Sequence, residues 1–205
     1  MKITSEKPNL RKIQAEERRL QIMDTALFVF AEKGFAQTTI QDLADAAGIS
    51  SGLMYHYFPG KEKLLEATVE HHSFLPQLRE LLKDRKKQQL RGVLKDISLK
   101  FMNLLEQNNM IVKIFWQEGF SNANVHKIWS NLANEGVALL QEYVSAHIAT
   151  GELRVHNAEV TARCLLSTTI MFHLTKDIFK ASKLTKVQFV DNMIDNLLSG
   201  IQSIR

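Results

Sequence analysis

Residues 39–65 read TIQDLADAAGISSGLMYHYFPGKEKLL, and their punctuation cuts the stretch into short helices. Thr39 precedes an apolar-periodic run and can cap it with its hydroxyl, while Asp42, three positions on, serves as a shorter version of the usual capping-box acid. Leu43, Ala44 and Ala47 supply the inward side. Gly48-Ile49 forms a tight break, and Ser50 can cap a second short helix running to about Phe58, where Pro59-Gly60 breaks the chain again. The small Ala44 and Ala47 permit close helix approach, and Ile49, Met54 and Phe58 can seal a little core. Two short helices joined by a turn of about three or four residues, with a helix ahead of them, are the elements of a helix-turn-helix DNA-binding module.

The helix ahead is legible. Ile22, Met23, Ala26, Leu27, Phe30 and Ala31 recur at spacings of three and four, which predicts a helix beginning around Leu20 and stopped by Gly34. Residues 1–17 are polar and read as a flexible arm, 18–65 as the DNA-binding domain and 66–205 as a helical body. A longer helix is expected from near Lys61 to the region before Pro76. Further helices are expected near 87–106, 110–118, 122–148, 157–180 and 185–202, with breaks around Gln107-Asn108-Asn109, Gly119-Phe120-Ser121, Thr150-Gly151 and Ser182 to Thr185. With three prolines and nine glycines in 205 residues, the fold class is all-α.

Composition removes several function classes. The single Cys164 offers neither an intramolecular disulfide nor a metal-binding cluster, and reads as a small buried hydrophobe in a reduced compartment. Apolar runs fall far short of the roughly 20 residues that cross a bilayer, and the N-terminus has no signal-peptide core, so a cytoplasmic protein without membrane contact is expected. Twenty-six basic against 22 acidic residues give +4, compatible with nucleic acid but not diagnostic of it. No cofactor is implied. His71 and His72 are adjacent and point in different directions, His147 and His156 flank a predicted break, and Cys164 has no activating neighbour in sequence, so an enzyme is not expected. A helical structural or interaction protein that binds no DNA is the alternative.

The 39–65 stretch, with the upstream F-V-F-A-E-K-G-F, resembles the signature of the tetracycline-repressor (TetR) family of one-component transcriptional regulators. The resemblance is strong over roughly 18–66. It implies a homodimer with N-terminal DNA-reading heads and a C-terminal body that binds a small molecule and releases palindromic operator DNA. It also implies that Thr39 caps the first helix of the motif and touches phosphate. Ser50, Ser51, Gly52 and Leu53 would open the recognition helix, Tyr55, His56 and Tyr57 would stand at contact positions, and Lys61 would bind phosphate.

The chemistry is compatible. Hydroxyls and the amides of a helix start suit phosphate, as does an ammonium. Gly52 leaves room for approach to the major groove, and Leu53 could meet a thymine methyl. Between Ser50 and Phe58 there is no Arg, Lys, Asn or Gln, so water, DNA shape and the N-terminal arm would share the reading. Arg11 and Lys12 either enter the minor groove or are solvated.

In the body, Phe101, Met102, Phe115, Trp116, Phe120, Trp129, Met171, Phe172 and Phe179 either line an apolar effector cavity or fill the core, with Glu118, Asn122 or His173 available to orient a ligand. The scarcity of basic residues in these segments favours a lipophilic effector. Val160, Leu165, Thr168, Met171, Phe172 and Ile178, with Val190, Met193, Ile194, Leu197, Leu198 and Ile201, form two stripes that would pair with their symmetry mates in a dimer.

Overall fold

The computed structural model describes residues 10–83, 89–176 and 183–201. Among them the helices are α1 (Leu10–Lys33), α2 (Ile40–Ala46), α3 (Ser51–Tyr57), α4 (Lys61–His71), α5 (Leu75–Lys83), α6 (Leu90–Gln107), α7 (Asn109–Glu118), α8 (Ala123–Ala149), α9 (Ala158–Thr175) and α10 (Lys186–Ile201). The expected all-α class is what forms. The chain divides into two compact units, residues 1–72 with 110–128 and residues 73–109 with 129–205. Ile178, Phe179 and the first nine residues lie outside the described residues, as does the side chain of Ile201.

The first unit is built on α1. Ile22, Met23, Ala26, Leu27, Phe30 and Ala31 are all buried on its inward face, as their spacing requires. The helix nevertheless starts ten residues before Leu20, so the part of the expected arm from Leu10 onward is helical. Residues 10–18 are exposed and consist largely of good helix formers. An apolar pattern marks where burial begins, not where the helix does. Gly34 ends α1 at φ 85° and donates its N–H to the Phe30 carbonyl at 3.0 Å, the left-handed C-terminal cap that glycine adopts without strain. Met54 and Phe58 from the recognition segment and Leu64, Leu65 and Val69 from α4 close the same core.

Two boundaries differ from expectation. The helix that starts at Lys61 stops at His71, and Pro76 sits in the first turn of a separate helix. Proline there lacks only an N–H that a first turn leaves unpaired anyway. Residues 110–128, assigned by sequence to the body, pack in the first unit: Ile111, Ile114, Phe115 and Val125 are buried, and Lys113 pairs with Glu32 of α1 at 3.2 Å.

In the second unit α6 is central, packing against α5, α9 and α10. Leu90, Val93, Leu94, Ile97 and Met102 of its buried stripe meet Leu140, Tyr143 and Val144 of α8, Ala162 and Leu165 of α9, and Val190 and Ile194 of α10 in one cluster. His147 is also buried, with Nδ1 2.6 Å from a Glu152 carboxylate oxygen. No helix among the described residues is long and apolar enough to cross a membrane. Among them, no three His, Cys, Asp or Glu side chains gather into a metal-binding group.

Candidate nucleic-acid interface

The interface begins at the α2 cap. Thr39 accepts the Asp42 N–H at 3.1 Å, and Asp42 accepts the Thr39 N–H at 2.8 Å, so the aspartate completes the reciprocal box that its spacing suggests. The Thr39 hydroxyl also donates to Asp42 Oδ2 at 2.6 Å. The Lys33 ammonium, hydrogen-bonded to the same oxygen, and then Thr39 hold the Asp42 carboxyl far below its ordinary value. With both its N–H and its hydroxyl engaged by a carboxylate, Thr39 reaches a phosphate only by loosening this box.

At the turn, Gly48 takes φ 64° and Ile49 N–H bonds back to the Ala44 carbonyl at 3.0 Å. Ser50 then caps α3 by accepting the Leu53 N–H at 3.1 Å, which leaves its hydroxyl proton for another acceptor. Met54 and Phe58 point into the core, while Gly52, Leu53, Tyr55 and His56 are exposed and Tyr57 is half-buried. The rings of His56 and Tyr57 meet edge-on at 5.7 Å. A Cβ added to Gly52 would meet only the Ser50 hydroxyl, at 3.9 Å. The fold does not require glycine there, and the space over it is open.

Lys61 is engaged inward. Its ammonium donates to the carbonyls of Phe35 at 2.9 Å, Ala36 at 3.1 Å and Thr38 at 2.9 Å, and lies 4.8 Å from the centre of the Phe35 ring. An ammonium has three protons, so a phosphate contact would have to displace one of these carbonyls. The same turn is held from α7. The Glu118 carboxylate accepts the N–H of Phe35 and, at 3.0 Å, that of Ala36. Glu118 therefore anchors the turn leading to Thr39, a role the sequence did not reveal when it placed this residue among the ligand-orienting groups.

Gln41 is a second feature that reading the recognition helix alone overlooks. Its Oε1 accepts the Ser51 hydroxyl at 2.7 Å and its Nε2 donates to Asp45 Oδ1 at 2.7 Å, linking α2 to the first residue of α3. Arg19 covers the Phe58 ring at 5.0 Å. Arg11 and Lys12 stand on the exposed first turn of α1, not on an extended arm.

The chain belongs to the tetR family. The family profile described as bacterial regulatory proteins, tetR family, matches residues 22–68, and that described as AefR-like transcriptional repressor, C-terminal domain, matches residues 92–199, over half of the chain. It is thus a helix-turn-helix transcriptional regulator, not an enzyme. The HTH-type transcriptional repressor KstR2 of Rhodococcus jostii is 49% identical over 49 residues, 24% of this chain and 24% of that protein, so this similarity spans about a quarter of either length. The fatty acid metabolism regulator protein of Bacillus subtilis is 25% identical over 93% of this chain and 98% of its own. Among solved structures, Salmonella enterica GusR superposes with a TM-score of 0.73 at 24% identity, covering 89% of this chain and 96% of that one. The Bacillus subtilis regulator FadR, solved in complex with stearoyl-CoA, does so with a TM-score of 0.70 at 22% identity, over 89% and 99%.

The residues expected at the effector are spread over both units. Phe115, Trp116 and Phe120 belong to the first, where Phe115 is buried and the other two are exposed. In the second, Phe101 stacks on Phe74 at 5.0 Å, Met102 is fully buried, and Phe172 stacks on Phe189 at 3.8 Å. These three contribute to the core of their unit. Trp129 is half-buried and Met171 exposed, while buried His173 places Nε2 3.3 Å from Asn109 Oδ1. Cys164 is exposed, contrary to the reading as a buried hydrophobe. Helix α9 is apolar on two sides: Ala162 and Leu165 take the core, and Cys164 falls on the outer face with Val160, Thr168 and Met171.

Proposed function

We propose that this regulator binds palindromic operator DNA as a homodimer, acts as a repressor in the cytoplasm, and is released by a lipophilic small molecule. The observation that carries the DNA reading is the division of α3 and its C-cap, with Met54 and the capping Phe58 fixed in the core and Gly52, Leu53, Tyr55 and His56 presented outward. In this reading residues 18–65 form the DNA-binding domain, Ser50, Ser51 and Tyr57 flank the contact surface, and 66–205 serve effector binding and dimerisation. Thr39 and Lys61 position the motif, and touch phosphate only by exchanging internal partners.

The outer face of α9 supports the dimer. With α10 it borders an open groove of about 520 Å³ that includes Cys164, Thr168, Phe189, Met193 and Leu197, and Val160, Met171, Leu184 and Val187 are about half exposed. Exposed apolar surface of this kind is stabilised by a symmetry mate. The lipophilic effector is supported by the full-length similarity to a fatty acid metabolism regulator and by a structural neighbour holding stearoyl-CoA. Within the second unit Trp129 and His173 are candidates for the ligand surface, and Phe101, Met102 and Phe172 are the packing behind it.

The test joins selection of operators from random duplexes, native mass of the complex, and titration of that complex with long-chain acyl-CoA and with a sterol. A two-to-one protein-to-duplex mass, a palindromic consensus and release by one ligand are expected. A ligand that releases DNA must itself bind more weakly to the DNA-bound protein.

A further inference from the structure

The recognition helix lacks the side chains that discriminate bases best, since no Arg, Lys, Asn or Gln occurs between Ser50 and Phe58. The neighbouring helix supplies one. Gln41 is exposed in the first turn of α2, and its amide is tied to α3 through the Ser51 hydroxyl and to its own helix through Asp45. A primary amide offers two N–H donors and two acceptor positions on its oxygen. One of each is used within the protein, so Nε2 and Oε1 each keep one position for an outside partner.

We propose that Gln41 is a base-reading residue that recognises adenine in each operator half-site, with Nε2 donating to N7 and Oε1 accepting from the N6 amino group. The assignment rests on the operator-binding reading above. Ser51 is the first residue of α3, and the N-terminal residues of a recognition helix are the ones that reach base edges. A side chain hydrogen-bonded to Ser51 is therefore at the reading end of the motif.

Asp45 decides between base and phosphate. A phosphate oxygen approaching the Gln41 amide would come close to the Asp45 carboxylate and be repelled, whereas a neutral base edge would not. Asp45 also fixes which end of the amide is which. A carboxylate only accepts, so Nε2 must face it and Oε1 must face the Ser51 hydroxyl. The amide is ordered before DNA arrives, and less side-chain freedom is lost on binding.

The test compares operator selection by the full-length wild type, Gln41→Met and Ser51→Ala. Methionine keeps the length and helix propensity of glutamine without its amide, and the α2 cap made by Thr39 and Asp42 is untouched. The wild type should show one A·T pair per half-site at which Gln41→Met loses on the order of tenfold to a hundredfold discrimination, with every other position retained. Ser51→Ala should blunt the preference at that same position. If Gln41→Met selects the same consensus at every position, or weakens all sequences equally with a flatter salt dependence, the assignment is overturned while operator binding stands. If the wild type enriches no site, the operator reading and this assignment fall together.

Discussion

Replacing Lys61 with methionine separates two roles that sequence could not distinguish. The change keeps an apolar stem against Phe35 and removes only the ammonium. If Lys61 holds the turn, three backbone carbonyls lose a charged donor. A hydrogen bond with one charged partner contributes about 1.5–3 kcal/mol, but the losses do not sum fully. Ala36 is exposed and its carbonyl can rehydrate, whereas Phe35 and Thr38 are each only 1% accessible. Lys61 is itself half-exposed, which lowers the value further. A loss of about 2 kcal/mol follows, and for a chain of this size a thermal midpoint lower by about 4–8 °C.

Hydrogen exchange should accelerate between Gly34 and Thr39, the segment that Lys61 and Glu118 hold. The opposite outcome is equally sharp. A lysine neutralising one phosphate contributes about 0.9 to the slope of log affinity against log salt, or about 1.8 for a symmetric dimer. If Lys61→Met leaves the melting midpoint and turn exchange unchanged but flattens the salt slope by that amount, the ammonium points to DNA in solution and the clamp reasoning is wrong.

Glu118→Gln should destabilise the same turn by about 1–2 kcal/mol, because only one acceptor oxygen remains for the Phe35 and Ala36 amides; combined with Lys61→Met in urea unfolding, the double variant should lose less than the sum of the two. Gly52→Ala should leave stability unchanged or raise it by about 0.5–1 kcal/mol, since nothing inside the chain obstructs the added methyl, yet weaken operator binding in a gel-shift titration. Gly34→Ala combines a left-handed φ with a Cβ 3.0 Å from Glu118, and calorimetry should show a loss larger than that of Glu118→Gln. Asp42, whose carboxyl is depressed by Lys33 and then Thr39, contributes its stabilisation fully above the ordinary value of 3.8 and loses it as pH falls toward the depressed one; the stability difference between wild type and Asp42→Asn should therefore hold at neutral pH and shrink below about pH 4. Alkylation of Cys164 should slow as protein concentration drives dimer formation, and a rate independent of concentration would place the dimer contact elsewhere.

What could be read from the sequence was what is local. Thr39 with Asp42 and Ser50 with Leu53 are caps made within three residues, and Ile22 to Ala31 is a stripe along a single helix, so spacing alone suffices for both. The extension of α1 back to Leu10 left no mark, because an exposed helix of charged residues has no apolar period. The same limit explains Cys164. Hydrophobicity indicates that a position avoids water without saying whether the core covers it, and α9 carries a buried and an exposed face of small and apolar side chains.

Charged side chains were less legible for a deeper reason. Lysine at the start of α4 and glutamate at the end of α7 look alike in sequence whether they face solvent, ligand or backbone, and the turn that engages both lies 23 to 26 residues from one and 82 to 83 from the other. Once those acceptors and donors are counted, Lys61 has no proton to spare and Glu118 is committed to two amides, whereas Gln41, which no family position had singled out, keeps a donor and an acceptor open beside the recognition helix. Availability, more than residue type, sorts the polar groups of this head into those that build it and those that can read DNA.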